Sequence, residues 1–109
     1  MDPARASYIA LRALFYATAR MELEELLSFA VRAAIGGNYD DAAAALAAAY
    51  ARIRCTGRDY GRAQCIADAL TEFLIEGRSD AINAVLREAA GLLLEKRAET
   101  LGVKSVDQQ

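Results

Sequence analysis

Apolar residues recur along most of the chain at the three- and four-residue spacing of amphipathic α-helices. Runs of Val, Ile and Thr that alternate with polar residues, which are typical of strands, are nearly absent. Breaks rich in Gly and polar residues at 36–38, 56–59 and 77–79 divide the helical pattern. The pattern therefore predicts an all-α fold, a five-helix array of two antiparallel helical hairpins plus an N-terminal helix.

The first helix has a clear start and an ambiguous end. Asp2 and Pro3 are typical of a helix N-terminus, because aspartate accepts an N-cap hydrogen bond and proline suits the first turn. Helix 1 is predicted to run from Pro3 to about Ala19. Residues 18–22 contain neither Gly nor Pro, so a continuous helix into helix 2 is one alternative. A tight turn near Arg20 is the other, and the acidic residues that follow favour it.

The remaining boundaries follow from glycine turns and from cap residues. In chain order, they predict helix 2 up to Gly36-Gly37, helix 3 from the cap Asn38 to the loop 56–59, helix 4 from near Asp59 to Gly77, and helix 5 from the cap Ser79 to about Leu101. The helical domain is expected to comprise residues 1–102. Residues 103–109 have no periodic pattern and are predicted to form a flexible C-terminal tail.

One apolar stripe on each of the helices 2 to 5 supplies the predicted core. Its members are Leu23, Leu26, Leu27, Ala30, Ala33 and Ala34 in helix 2; Ala42, Leu46, Ala49, Tyr50 and Ile53 in helix 3; Ile66, Ala69, Leu70, Phe73 and Leu74 in helix 4; and Ile82, Val85, Leu86, Ala89, Leu92 and Leu93 in helix 5.

Helix 1 carries more large apolar residues than one stripe can hold, and they spread around most of its circumference: Tyr8, Ile9, Leu11, Leu14, Phe15 and Tyr16. Such a helix needs more than one neighbour. Short helices rich in alanine cannot easily enclose all six side chains in one small core. We therefore expect a protein partner or self-association, most simply a homodimer, with Tyr8, Leu11 and Phe15 at the interface.

Composition and charge restrict the possible functions. The 109 residues are 55% hydrophobic, much of it alanine, and the formal net charge is −2, which gives no general electrostatic attraction to nucleic acid or to acidic membranes. Histidine is absent, so a Ser-His-Asp or Cys-His catalytic set and a histidine-ligated zinc site cannot be built. We expect no enzyme, no cofactor and no metal site.

The chain has no segment typical of secretion or membrane insertion. Residues 1–5 lack the basic and then apolar order of a secretory signal. The longest apolar run, 42–51, has ten residues, too few to span a bilayer. The expected location is the cytoplasm, away from membranes.

Two cysteines, Cys55 and Cys65, flank the predicted loop between helices 3 and 4. Antiparallel helices would bring them close enough to bridge, with Cα atoms within about 7 Å. An intramolecular disulfide is one alternative, and two small buried side chains without a bond are the other.

Four arginines cluster around the same loop, Arg52, Arg54, Arg58 and Arg62, together with Tyr50 and Tyr60. Arginines interleaved with aromatic residues can bind phosphates and stack on bases, so the loop, with Tyr60, is a candidate anion or nucleic-acid site. The alternative is a solvated basic loop that pairs with acidic neighbours and with the C-terminal dipole of helix 3. The carboxylates Asp68, Glu72 and Glu76 share one face of helix 4 and are expected to be ordinary solvent-facing charges.

Two turn segments are similar to each other. Gly37-Asn38-Tyr39-Asp40-Asp41-Ala42 parallels Gly77-Arg78-Ser79-Asp80-Ala81, with the two alanines 39 positions apart. The first segment, with Leu46, Ala49 and Ala30, resembles the helical hairpin of the tetratricopeptide and MIT families over about 30 residues. The second segment departs from that pattern, because its turn is one residue shorter and Glu88 occupies a position where the family has alanine.

These observations predict a non-enzymatic helical protein-interaction module or a small subunit of a larger assembly. The alternative is a nucleic-acid-associated helical protein, such as a small subunit of an RNA-guided complex or a viral nucleoprotein, which would use the arginine loop. The negative net charge counts against the alternative.

Overall fold

A computed structural model describes residues 2–100, with side chains described for residues 2–96. In chain order the helices are α1 (Pro3–Thr18), α2 (Leu23–Ile35), α3 (Tyr39–Arg54), α4 (Arg62–Leu70), which continues into a π-helical turn (Thr71–Ile75), and α5 (Ser79–Thr100). No β-strand occurs in this part of the chain. The fold is the predicted all-α array of two antiparallel hairpins plus an N-terminal helix. The predicted tail at 103–109 lies outside the described residues.

Helix α3 lies at the centre of the array and contacts each of the other four helices. Most of its surface is covered by these neighbours. A buried helix usually carries large apolar side chains, but α3 does not. The fully buried positions are all alanines: Ala44, Ala45, Ala47, Ala48, Ala49 and Ala51. Because alanine projects only a methyl group, four neighbouring helices can approach one axis closely without steric conflict.

The prediction of a turn between helices 1 and 2 is confirmed. Ala19 and Glu22 both have extended backbone, which any residue can adopt, so the chain turns without glycine or proline. Helices α1 and α2 both pack on α3, and they contact each other through the rings of Tyr16 and Phe29, which are centred 5.3 Å apart. The turn positions Arg20 beside the end of α3 and the start of α4.

Charged and aromatic side chains fix α1 to the start of α3. The guanidinium of Arg5 donates to both carboxylate oxygens of Asp40 at 2.7–3.0 Å, and this contact lowers the pKa of Asp40. The Tyr8 hydroxyl donates to Asp41 at 2.9 Å. Arg12 stacks over the Tyr8 ring and lies 3.6 Å from Asp41. The two aspartates of the first turn of α3 therefore anchor the N-terminal helix.

One predicted cap position is confirmed without its expected hydrogen bond, and two other boundary predictions were wrong. Asn38 precedes α3 as expected, but its side chain makes no capping hydrogen bond. Helix α4 begins at Arg62, not near Asp59, because the chain first passes through Gly61 in the left-handed region at φ = 63°. Ser79 is the first residue of α5 and not its cap.

The predicted core of helix 5 was also too large. Among its described residues, Ala81 and Val85 are buried and Ala89 and Leu92 are partly buried. Three residues expected in the core are exposed by 39–61%: Ile82, Leu86 and Leu93. Ala34 at the end of α2 is exposed as well. The reason is geometric, since α5 packs mainly on α3 and turns only a narrow side to the rest of the array.

The central helix gives a test of this packing. Replacing Ala48 with leucine adds three carbons where no space is left, and we expect the free energy of unfolding to fall by about 1–3 kcal/mol. The matched control is Ala67→Leu on the exposed side of α4, which should change it by less than about 0.5 kcal/mol. Urea unfolding followed by circular dichroism measures both, and equal effects of the two substitutions would contradict the central role of α3.

Candidate functional site

Most of the solvent-facing side of α1 is apolar, and its charged residues, Arg5 and Arg12, lie along the edge next to Tyr8. We call the uncharged part of this surface the α1 outer face; it consists of Ala4, Ser7, Tyr8, Ala10, Leu11, Leu14, Phe15 and Thr18. Its four large side chains are exposed by 44–67%. The Thr18 hydroxyl is turned inward, where it donates to the backbone carbonyl of Leu14 at 3.0 Å. Of the six large apolar residues of helix 1, only Ile9 and Tyr16 are buried.

A second group of exposed apolar side chains lies on α5. Leu86, Leu93 and Leu94 are 58–68% exposed. On this helix they alternate with exposed polar residues, among them Arg87 and Glu95. A shallow apolar cleft of about 210 Å³ separates α5 from α2. The exposed side of α5 thus mixes apolar and charged groups, whereas the α1 outer face does not.

The two cysteines face each other, as expected. Cys55 ends α3, Cys65 lies in the first turns of α4, and their Cα atoms are 6.0 Å apart with the sulfurs at bonding distance. Both residues are buried. The pair connects the end of one helix to the start of the next across the loop that contains Gly57 and Gly61.

Glu72 is not the solvent-facing charge that was expected from its spacing along helix 4. Its side chain is only 12% exposed and accepts hydrogen bonds from the Tyr50 hydroxyl at 2.6 Å and from Arg54 at 2.8 Å. Asp68 and Glu76, the other two carboxylates of the set, remain exposed. The three carboxylates therefore do not form one charged face.

The π-helical turn explains the position of Glu72. A π turn is wider than an α turn, so more consecutive residues can face the same neighbour. Here Glu72, Phe73 and Leu74 are all partly buried. The Phe73 ring packs near Tyr50, at 6.1 Å between centroids, while the adjacent Glu72 binds the hydroxyl of the same tyrosine.

The arginines of the loop separate into different environments. Arg54 is held by Glu72 and also lies 3.2 Å from the Cys65 sulfur. Arg58 is exposed, and Tyr60 is 94% exposed. Arg52 and Arg62 instead line one cleft between α1, α3 and α4. The structure therefore divides the predicted arginine site and brings only Arg52 and Arg62 together at one cleft.

Arg20 completes the set at this cleft, and the sequence reasoning passed over it. It belongs to the turn after α1, more than thirty positions before Arg52. The sequence feature that could have identified Arg20 is its positive charge in a turn between two helices, because such a turn lies near the end of another helix. Which helix end that is depends on how α1 packs against α4, and no local pattern encodes that choice.

Neither a metal cluster nor a membrane span is found in the described part of the chain. No three His, Cys, Asp or Glu side chains within it converge to hold a metal ion. None of its helices combines the length and apolarity that crossing a bilayer requires. Comparison with models of protein families, with curated proteins and with solved structures finds no match to this chain.

The contact between Tyr50 and Glu72 predicts a dependence of stability on pH. Burial first, and then the hydrogen bond to Glu72, raise the pKa of Tyr50 above its usual value. A raised pKa means that the stabilising contribution is fully present below the unfolded-state pKa of about 10 and is lost as pH rises through the folded-state value.

Tyr50→Phe should therefore lower the free energy of unfolding by about 1 kcal/mol at neutral pH. The difference between variant and wild type should shrink above about pH 10, because ionised Tyr50 no longer favours the fold. The other four tyrosines are present in both proteins, so their contributions cancel in the difference. Denaturant unfolding at pH 7 and pH 11 measures the difference, and a constant gap would contradict the assignment.

The cysteine pair predicts a dependence on reductant. Closing a ten-residue loop stabilises a fold by about 2–3 kcal/mol in the chain-entropy description. The double variant Cys55→Ala and Cys65→Ala should lose about that amount relative to the oxidised wild type. Reductant should lower the thermal midpoint of the wild type and leave the double variant unchanged. A wild type that is insensitive to reductant would mean that no bond forms.

Proposed function

We propose that this protein is a non-enzymatic interaction module that assembles with a second copy of itself through the α1 outer face. The observation that carries the proposal is the exposure of Tyr8, Leu11, Leu14 and Phe15 on one surface, which charged side chains border only at the edge beside Tyr8. Contiguous apolar patches of this kind are rare on proteins that remain monomeric, and they mark interaction sites.

Several features of α1 favour a protein partner over solvent. Tyr8 and Phe15 are aromatic, and such residues dominate the energetics of protein interfaces. Ala4 and Ala10 lie among the large side chains, so another helix can approach closely. The helix is anchored from behind by the ion pair of Arg5 with Asp40, so little ordering is needed when a partner binds.

The absence of charge on the α1 outer face favours an identical partner. A surface without charged groups meets no like-charge repulsion when it packs against its own copy around a two-fold axis. A charged partner would gain no attractive ion pair on this surface. The exposed side of α5 is less suited, because Arg87 and Glu95 would have to be desolvated with its leucines.

The experiment compares two charged substitutions. Leu11→Glu places a carboxylate at the centre of the α1 outer face and should weaken self-association at least about tenfold, because a buried unpaired charge is costly. Leu86→Glu is the control, since that leucine is similarly exposed but lies on α5. Sedimentation equilibrium across the micromolar range measures the dissociation constants of both variants and of the wild type.

Circular dichroism separates a lost interface from a lost fold. Because Leu11 is 67% exposed, the Leu11→Glu variant should keep the helical signal of the wild type. A wild type that is strictly monomeric throughout the concentration range would reject self-association. Equal weakening by both substitutions would show that the α1 outer face is not the interface.

A further inference from the structure

Three helix ends meet around a cleft that shares only Thr18 with the α1 outer face. The cleft has a volume of about 490 Å³ and lies between the end of α1, the end of α3 and the start of α4. Arg20, Arg52 and Arg62 line it, and Ala17 and Ile66 form an apolar part of its wall. None of its lining residues is acidic.

Within the described residues, the arginines of the cleft have no carboxylate partner, in contrast to the arginines that form ion pairs in the fold. Arg5, Arg54 and Arg78 each form an ion pair at 2.7–2.8 Å. By contrast, neither Arg20 nor Arg52 makes a side-chain hydrogen bond or an ion pair with any described residue. The ion pairs of the fold therefore leave Arg20 and Arg52 unpaired, as they do several exposed arginines that do not line this cleft.

Arg62 is only partly engaged. Its Nη1 donates to the backbone carbonyl of Cys55 at 3.1 Å, which holds the guanidinium at the cleft and leaves its other donors available. The same contact joins the start of α4 to the end of α3. The cysteine pair makes a second connection between these two helix ends, so the positions of Arg52 and Arg62 are fixed relative to each other.

Arg52 carries the sharpest indication of a missing ligand. Its Nη1 is shielded from solvent and has no hydrogen-bond acceptor. A buried donor left unsatisfied costs about 1–3 kcal/mol, and more when it is charged. Glu88 lies in the adjacent cleft with Arg52, but the two side chains form no ion pair. An acceptor supplied from outside would remove this cost.

The start of α4 adds a positive field to the same place. Its N-cap is Gly61, which has no side chain to cap the free N–H groups of the first turn. Arg62 and Ala63, the first residues of that turn, line the cleft. A helix N-terminus of this kind attracts anions, and here it reinforces the three arginines.

We propose that this cleft binds the phosphate group of a small organic phosphate monoester. Arg20, Arg52 and Arg62 hold the phosphate through charge-assisted hydrogen bonds, and the wall at Ala17 and Ile66 contacts the apolar part of the ligand. The volume is within the range of small-molecule sites. The net charge of −2 disfavours a long polyanion but does not prevent local capture of one phosphate. The proposal does not depend on self-association.

Isothermal titration calorimetry at low ionic strength tests the proposal with inorganic phosphate and phenyl phosphate. The wild type should bind both, and phenyl phosphate more tightly, because its ring contacts the apolar wall. Arg52→Met should weaken binding at least about tenfold through loss of a charged donor. Its thermal midpoint should equal or exceed that of the wild type, because the unsatisfied donor is gone. A purely structural role for Arg52 would lower the midpoint.

Arg58→Met is the matched control, because it removes the same charge from the neighbouring loop outside the cleft. It should leave phosphate binding unchanged. Arg20→Gln provides an independent variant at an exposed position and should weaken binding as Arg52→Met does. Equal losses in Arg58→Met, or no binding by the wild type at millimolar phosphate, would overturn the proposal. The proposal would also be overturned if the wild type bound a single-stranded oligonucleotide without a terminal phosphate but bound neither inorganic phosphate nor phenyl phosphate.

Discussion

The rest of the structure depends on the close approach that the alanines of α3 allow. Four helices can surround one central helix only if that helix projects little beyond its backbone, and alanine meets this requirement while favouring the helical state. The cost is that α3 supplies little apolar area, since methyl groups bury less surface than leucine or phenylalanine. Larger side chains from the outer helices, such as Leu26 and Ile66, must fill the space around it.

This arrangement also accounts for the large exposed side chains of the outer helices. A core built on alanine is thin, so each neighbouring helix can direct only a narrow stripe towards it. Helix α1 buries Ile9 and Tyr16 but leaves Leu11 and Phe15 outside, and α5 buries Val85 but not Leu86. Surplus apolar surface is therefore a consequence of the packing, and only on α1 is it free of interspersed charge.

The helices and the cysteine pair could be predicted from the sequence because their causes are local. Apolar spacing, glycine turns and the proline at position 3 determine where helices run, and two cysteines on either side of a short loop come near each other when the helices that it joins are antiparallel. The arginine cleft could not be predicted, since Arg20 reaches it only through the packing of α1 against α4. Nor could the position of Glu72, because a π turn breaks the periodicity on which the expectation rested.

The connection between Cys55 and Cys65 has a consequence for the continuity of the chain. Once the two sulfurs are joined, residues 56–64 form a second path between α3 and α4, parallel to the covalent bridge. A protease that cuts this exposed loop, for instance after Arg58, would leave both halves of the molecule attached to each other. The loop is therefore a place where new chain ends could be opened, as in a circular permutation, without separating the helices that it connects.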